Sequence, residues 1–140
     1  MTRIDFYTHV TDKMPVVLQL VKKAWGQNMQ IWIRTETPAL AQDLDRRLWT
    51  HPEAGFIPHC CSDSPLCPET PIIIDGLDQE PSIHQLLINL HPLRSPFFTR
   101  FERLVEIVGL DDSDRQQARE RYIHYRDRGF EIHSHNLAPK

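Results

Sequence analysis

Glycine is scarce and dispersed in this sequence of 140 residues. The five glycines lie at positions 26, 55, 76, 109 and 129, so no two are close enough to build a glycine-rich turn. The phosphates of a nucleotide are usually held by the backbone amides of such a turn, just after the first strand of an α/β sheet. The segment expected at that place, HVTDKMP at residues 9–15, contains no glycine. Neither a GxGxxG nor a Walker sequence occurs, which excludes a nucleotide site of the usual kind.

The sequence also has few cysteines and no long apolar run. The three cysteines, Cys60, Cys61 and Cys67, are crowded together in a spacing that fits no standard zinc site. We therefore expect free thiols in a cytosolic loop that spans Cys60–Pro71. Asp5 interrupts the apolar start of the chain, and no run approaches the length of a membrane span. These absences predict a cytoplasmic protein without a membrane segment.

A strong charge of one sign is missing as well. Sixteen lysines and arginines against 19 acidic residues give a net charge of −3. Non-specific nucleic-acid binding depends on many phosphate contacts, so this balance argues against a protein that binds DNA by charge alone. The length and the ordinary globular composition suit a single domain over residues 1–140.

Strand and helix patterns alternate along the first part of the chain. Asp12 precedes a helical apolar pattern, and Thr37 followed by Pro38 is a strong helix start. The predicted elements there are a strand at Arg3–His9, a helix at Met14–Trp25, a strand at Gln30–Arg34 and a helix from Pro38 to Trp49. This order predicts an α/β fold with a mostly parallel, Rossmann-like sheet flanked by helices.

The second part of the chain continues the pattern with one ambiguous stretch. Ser82–Leu90 fits either a strand or a helix, and we favour a strand from Gln85 to Leu90. Ser95 followed by Pro96 predicts a further helix that ends at Gly109. The remaining predicted elements are an extended piece at Gly55–His59, a buried strand at Pro71–Asp75, a long helix in Arg115–Phe130 and an edge strand at Phe130–His133.

The helix within Arg115–Phe130 carries an unusual face. Arg119, Tyr122, Ile123 and Arg126 follow each other at i, i+3, i+4 and i+7 and therefore share one side of the helix. Two guanidinium groups around an aromatic and an aliphatic side chain could bind a carboxylate beside an apolar group. The alternative is a solvated helix whose arginines pair with nearby acids, namely Glu120, Asp127 and Glu102.

The sequence offers no catalytic or metal-binding constellation. It has no GxSxG turn, and its eight histidines lack the context of a metal motif. His9, His59, His133 and His135 are therefore interpreted as scattered strand-end and surface residues. A second recognition surface is suggested by Leu48–His59, where Trp49 and Phe56 bracket a proline turn. The alternative is that both rings close the core beneath a loop.

Four segments are similar to one known family. They are DFYTH near the start, LDRRLWTHPEAGFIPH at residues 44–59, FTRFERLVEIV at residues 98–108 and ARERYIHYRDRGFEI at residues 118–132. Together they resemble the chi subunit of bacterial DNA polymerase III, a part of the clamp-loader complex. The resemblance spans nearly the whole chain.

The resemblance implies a mononucleotide-binding type of fold that has no nucleotide site, no cofactor and no enzymatic activity. It implies two partners: the psi subunit, and the acidic C-terminal tail of single-stranded-DNA-binding protein, which ends in a phenylalanine with a free carboxylate. DNA is then contacted mainly through these partners. Some family members also pair with a helicase-like repair protein through the surface that psi uses.

The resemblance also implies site residues. Trp49, Phe56 and Pro58 would form the psi-facing pocket. Arg119 and Tyr122 would bind the tail, Val108 from the preceding helix would supply an apolar floor, and Arg126 would add charge. The family pattern has a lysine directly after the tyrosine, where this chain has Ile123. Arg115, one turn before Arg119, is positioned to compensate.

Two alternatives from other classes remain open. One is a small α/β enzyme or phosphate-ligand binder whose motif has diverged. The other is direct binding of single-stranded DNA through four arginines, which are Arg100, Arg103, Arg119 and Arg126.

Overall fold

The structure, a computed structural model, describes residues 2–50, 59–61 and 71–137. Strands and helices alternate along these segments much as the sequence predicts. In chain order they are β1 (Arg3–Val10), α1 (Lys13–Gly26), β2 (Ile31–Arg34), α2 (Pro38–Thr50), β3 (His59–Cys61), β4 (Ile72–Asp75), β5 (Leu86–Asn89), a 3-10 helix (Phe98–Arg100), β6 (Arg103–Gly109), α3 (Asp112–Asp127) and β7 (Glu131–Asn136).

The strands form one sheet in the order β3-β4-β2-β5-β6-β1-β7. Every neighbouring pair in this sheet runs parallel. Parallel strands need crossover connections, and the helices that make them cover both faces. The prediction of an α/β fold with a mostly parallel, Rossmann-like sheet flanked by helices is confirmed.

Two apolar cores lie on the two faces of the sheet. Alternate residues of a strand point to opposite faces, so Ile31 and Ile33 of β2 join one core while Trp32 joins the other. The first core contains the buried sides of α1 and α2, and the second contains α3 and the 3-10 helix. Helix α3 therefore packs on the opposite face of the sheet from the other two helices.

The helix starts follow the capping residues that the sequence contains. The Asp12 Oδ1 atom accepts a hydrogen bond from the Met14 amide at 3.2 Å, at the start of α1. The Thr37 hydroxyl accepts one from the Leu40 amide at 3.2 Å, and Pro38 is the first residue of α2. Both helix predictions are confirmed to within one or two residues.

The helix predicted after Ser95 and Pro96 is wrong. Ser95 does accept a hydrogen bond from the Phe97 amide, but only a 3-10 helix of three residues follows. The rest of the predicted helix is strand β6, which lies between β5 and β1. Both of its faces are buried, and a strand of this kind has a continuous apolar run rather than an alternating one. The short run RLVEIVG also fits a helical period, so its neighbours in the sheet decide its structure.

The loop prediction for Cys60–Pro71 is wrong at its first two residues, and residues 62–70 lie outside the described residues. Cys60 and Cys61 belong to β3, which pairs with β4 at the edge of the sheet. The half-buried Cys61 has its sulfur 3.9 Å from the Ala41 carbonyl oxygen. Cys67 lies outside the described residues, as do residues 55–58 of the predicted extended piece.

The helix predicted within Arg115–Phe130 starts earlier and ends earlier than that stretch. Asp111 caps α3, with its Oδ2 atom accepting from the Asp114 amide at 3.3 Å. The helix ends at Asp127, and Gly129 then adopts a φ of +83° that glycine accommodates without a steric penalty. The predicted edge strand follows as β7, which pairs with β1 alone.

Candidate functional site

A groove opens between α3 and the carboxyl ends of two strands, β1 and β6. Its volume is about 270 Å³. We call it the α3 groove, and the residues that line it are Phe6, Thr8, His9, Val108, Gly109, Arg115, Ala118, Arg119, Tyr122 and Ser134.

The floor of the α3 groove is apolar because strand residues that face α3 extend beneath it. Phe6 of β1 and Val108 of β6 are almost fully buried there, together with Ala118 of α3. The Tyr122 ring meets the Phe6 ring edge to face, with 5.5 Å between centroids and 64° between planes. Such a pair is a favoured aromatic arrangement, so the Tyr122 ring is held as one wall of the groove.

The amino-terminal end of α3 is tied to the strand below it. The Asp114 Oδ2 atom accepts a hydrogen bond from the Gly109 amide at 2.7 Å. The same oxygen lies 3.0 Å from the Lys13 Nζ atom at the start of α1. These contacts fix the first turn of α3 relative to the end of β6, and they thereby fix the position of Arg115 and Arg119.

The two groove arginines are the available cations of the site. Arg115 and Arg119 are four residues apart, so they lie on the same side of α3. Both are exposed. Arg115 is only 3.9 Å from the Asp112 Oδ1 atom, a long contact, and Arg119 has no ion-pair partner among the described residues. A guanidinium group with free N–H donors can hold a carboxylate through two parallel hydrogen bonds.

The groove contains three of the five residues predicted for the tail site. Val108, Arg119 and Tyr122 line it, although Val108 comes from strand β6 and not from a helix as predicted. Ile123 and Arg126 do not line the groove. Ile123 is 39% exposed beside it, and Arg126 lies 3.1 Å from the Asp127 Oδ1 atom. The predicted common face therefore divides into a groove half and a solvated half.

The structure describes none of the side chains predicted for the psi-facing pocket. Phe56 and Pro58 belong to the segment between α2 and β3 that is not described, and the Trp49 side chain is not described either. Their assignment stays a prediction.

Sequence reasoning missed several residues of the groove. Phe6 and His9 lie in the DFYTH segment, and the sequence predicts a binding role for neither, since His9 is interpreted there as a strand-end histidine. Both reach the groove because β1 lies next to β6, a pairing between residues about 100 positions apart. Thr8 lies in the same segment and Ser134 follows the predicted edge strand, and the sequence predicts a binding role for neither.

The places where this type of fold binds nucleotides are occupied by protein groups. Asp12 puts a carboxylate at the amino terminus of α1, where a phosphate would otherwise benefit from the helix dipole. At the ends of β2 and β5, Arg34 is held by Asp78 at 2.6 Å, by Asn89 at 3.2 Å and by the Leu93 carbonyl. Side chains of the protein thus occupy both places.

The histidines do not gather into a metal site in the part of the chain that the structure describes, and no group of three or more metal-ligating side chains occurs there. The His135 Nε2 atom instead lies 3.0 Å from the buried Asp5 carboxylate. Likewise, no helix in the described ranges is long and apolar enough to span a bilayer.

The arginines suggested for direct DNA binding are dispersed. Arg100 pairs with Glu80, and the Arg103 Nε atom lies 2.8 Å from the Asp5 Oδ2 atom. Of the four arginines, Arg119 alone lines the groove. Arg100, Arg103 and Arg126 are each paired with an acid, which reduces the charge that they offer to a nucleic-acid backbone.

The fold and this site together define a Rossmann-like α/β protein with a cationic, apolar-floored groove where its strands end. Residues 1–133 match the family model described as DNA polymerase III chi subunit, HolC. The chain belongs to this family, which confirms the resemblance seen in the sequence.

Individual relatives agree with the family match. The chain is 34% identical to the DNA polymerase III subunit chi of Pseudomonas aeruginosa over 142 aligned positions, which cover 98% of both proteins. It is 31% identical to the subunit chi of Haemophilus influenzae, covering 87% of this chain and 85% of that one. For the subunit chi of Escherichia coli K12 the identity is 30%, and the coverage is 85% and 82%.

Proposed function

We propose that this chain is a non-catalytic adaptor of the replication machinery in the cytoplasm. It binds the acidic C-terminal tail of single-stranded-DNA-binding protein in the α3 groove, and it binds the psi subunit through a second surface. The clamp loader is thereby linked to coated template DNA. The observation that supports this proposal most is that Val108, Arg119 and Tyr122, which the family resemblance implies for tail binding, line one groove.

The shape and polarity of the α3 groove suit the end of such a tail. Its apolar floor of Phe6, Val108 and Ala118 can seat the ring of a terminal phenylalanine, with the Tyr122 ring alongside. The carboxylate of that residue then lies within reach of the arginines on α3. Capture of a C-terminal carboxylate together with the last side chain is a recurring mode of peptide recognition.

The free charge on Arg119 favours a partner with negative charge. Because Arg119 has no ion-pair partner among the described residues, no internal pair has to break when a carboxylate binds. Arg115 adds a second guanidinium one turn away, near the positive end of the helix dipole. Attraction of this kind should accelerate association and make binding sensitive to salt.

A single tail contact in a groove of this size is expected to be weak. An oligomeric partner that presents several tails would raise the effective concentration and so the working strength. The adaptor can then stay on coated DNA while individual contacts exchange.

The tail site is tested by titration with a peptide that matches the C-terminal tail of the cognate binding protein. Arg119→Ala should weaken binding by about 1.5–3 kcal/mol, as expected for hydrogen bonds to a charged group. Arg128→Ala is a matched control, because Arg128 is an exposed arginine at the end of the same helix and does not line the groove. An equal loss in both variants would mean that only net charge matters, and no loss in Arg119→Ala would refute the site.

The psi-facing surface is proposed from the family resemblance at Trp49, Phe56 and Pro58. We expect Trp49→Ala to lose co-purification with psi while it keeps the affinity for the tail peptide. Arg119→Ala should do the reverse. A helicase-like repair protein that uses the same surface would compete with psi and would also be lost in Trp49→Ala. If either variant lost both partners, the two surfaces would not be separate.

A further inference from the structure

The carboxyl end of β1 contains a bulge beside the α3 groove. The pairing of β1 with β6 is regular from Arg3 to Tyr7, where Tyr7 is opposite Ile107, and it resumes at Val10 opposite Gly109. Thr8 and His9 are thus opposite the single residue Val108. Bulges of this type redirect side chains and are frequent beside functional sites.

His9 has a backbone conformation that side chains rarely adopt. Its φ is +59°, in the left-handed region that costs free energy for any residue except glycine. The bulge is held by a hydrogen bond from the Leu137 amide to the Thr8 carbonyl oxygen at 3.0 Å. Strained backbone of this kind persists where the surrounding structure enforces it, and it concentrates at binding sites.

The His9 ring is half-buried and lines the groove together with Val108 and Gly109. Its Nδ1 atom is 3.0 Å from the Thr8 hydroxyl oxygen. When that hydroxyl donates to Nδ1, the proton of a neutral ring is on Nε2. The Nε2 atom has no partner among the residues that the structure describes, so its N–H group is free to donate to a ligand.

We propose that His9 is a specificity-determining contact of the α3 groove, donating from Nε2 to a carboxylate of the bound tail. It acts from the strand side of the groove, while Arg115 and Arg119 act from the helix side. This inference rests on the proposed tail-binding function. A few polar groups placed on different walls of an apolar groove fix the orientation of a ligand, which a row of arginines on one helix cannot do alone.

His9→Gly tests the side chain without straining the backbone, because glycine adopts a φ of +59° readily. The variant should be at least as stable as the natural chain in thermal unfolding, and its affinity for the tail peptide should fall about tenfold. Asn28→Gly is the matched control, since Asn28 also has a φ of +59° but lies after α1, away from the groove. It should leave the affinity unchanged.

His9→Asn is the second variant, and it guards against an effect of glycine on the bulge. Asparagine tolerates the left-handed conformation but is too short to replace the imidazole Nε2 atom. It should show the same loss of affinity as His9→Gly. If both variants bound the peptide as tightly as the natural chain, the proposal would be overturned.

Modified peptides identify the interaction itself. One peptide has an amide at its C terminus, and another has its acidic side chains replaced by the corresponding amides. With the natural chain and His9→Gly these peptides form two double-mutant cycles. A coupling in either cycle supports a bond from His9 to that carboxylate, and additive losses in both overturn it.

The Arg119→Ala variant distinguishes a failure of this inference from a failure of the proposed function. If Arg119→Ala loses affinity and His9→Gly does not, the groove still binds the tail and the role of His9 alone is refuted. If the natural chain does not bind the peptide at all, both are refuted together.

Discussion

Two arginines of α3, only two residues apart, have opposite environments. Residues at that spacing lie on nearly opposite sides of a helix. Arg121 points into the protein, where its side chain is 4% exposed and its Nε atom lies 3.2 Å from the Glu106 Oε1 atom. Arg119 lines the α3 groove without a partner among the described residues. One charge belongs to the fold, and the other is available for binding.

Contacts on the buried side of α3 set the direction of Arg119 on its exposed side. The buried Glu106 carboxylate also accepts hydrogen bonds from the Tyr125 hydroxyl at 2.7 Å and from the Asn89 side chain at 3.0 Å. Burial raises the pKa of Glu106, while Arg121, Tyr125 and Asn89 oppose that rise by favouring the charged form. Arg121 also donates to the Pro92 carbonyl oxygen. This network fixes the rotation of α3 and therefore the direction in which Arg119 points.

The largest effect is expected when the inner arginine is removed. Arg121→Met leaves the Glu106 carboxylate buried without its cation, which should reduce the free energy of unfolding by about 3–5 kcal/mol. Urea denaturation measures this loss. The deficit should shrink as the pH is lowered, because the unpaired Glu106 can then take up a proton.

Arg119→Met is the matched control for that prediction. It changes the same residue type on the same helix, but on the exposed side, so stability should change by less than about 0.5 kcal/mol. Adding Glu106→Gln to Arg121→Met should restore part of the lost stability. Equal destabilisation by both methionine variants would contradict the division of roles.

A second buried charge, that of Asp5, allows the comparison of buried with exposed charges to be tested by changing the pH. The Asp5 side chain is fully buried and meets His135, Arg103 and Arg3. Burial alone would raise its pKa, but the hydrogen bonds and ion pairs from these neighbours outweigh burial and hold the pKa of Asp5 below its ordinary value. A carboxyl with a lowered pKa stabilises the fold above the pH range where it titrates when unfolded, and this stability is lost as the pH falls below about 4.

Asp5→Asn should therefore cost about 2 kcal/mol at pH 7 and progressively less below about pH 4, because Asp5 then takes up a proton in the unfolded chain while it is still charged in the fold. Thermal unfolding at several pH values measures the difference. Asp43→Asn, which removes a partly exposed partner of Arg46 and Arg47 on α2, is the control and should show a much smaller change. If the loss of stability in Asp5→Asn did not change with pH, packing rather than the charge of Asp5 would be its cause.

Much of the fold was predictable because local signals and tertiary structure agree. Asp12 and Thr37 each cap the helix that their position predicts. The prediction of a helix at β6 is wrong for a physical reason. Leu104, Val105 and Val108 fit one face of a helix as well as a strand that is buried on both faces. Only the presence of β5 and β1 on either side, which depends on distant residues, decides between the two.

The candidate site was predictable to the extent that it lies on one helix. Helical spacing brings Arg119 and Tyr122 to one face, and the structure places Ile123 and Arg126, which the same spacing adds to that face, outside the groove lining. The groove forms where that face of α3 meets the sheet. The burial of Arg121 and Tyr125 fixes how α3 is rotated there. The bulge that brings His9 to the groove depends on strand pairing, which no local pattern reveals.

The two tyrosines of α3 repeat the comparison with a smaller expected effect. Tyr125→Phe removes the hydroxyl that donates to Glu106, so it should cost about 1–2 kcal/mol of stability. Tyr122→Phe should cost almost nothing, because the Tyr122 hydroxyl has no partner within the described ranges while its ring keeps its contact with Phe6. Urea denaturation of both variants checks this. A larger loss for Tyr122→Phe would show that the groove tyrosine also supports the fold.

The smallest effect is expected at Ile123, where the family resemblance implies a lysine. Ile123 is 39% exposed, one turn after Arg119 and outside the groove lining, so a charge there should attract an acidic tail without contacting the terminal residue. Ile123→Lys should strengthen peptide binding by about 0.5 kcal/mol at low salt, with the gain disappearing near 0.5 M salt as the charges are screened. Ile123→Gln is the control of similar length, and it should leave the affinity unchanged. If glutamine produced the same gain, removal of the apolar side chain would be the cause, and a salt-independent gain would indicate a direct bond from the lysine into the groove.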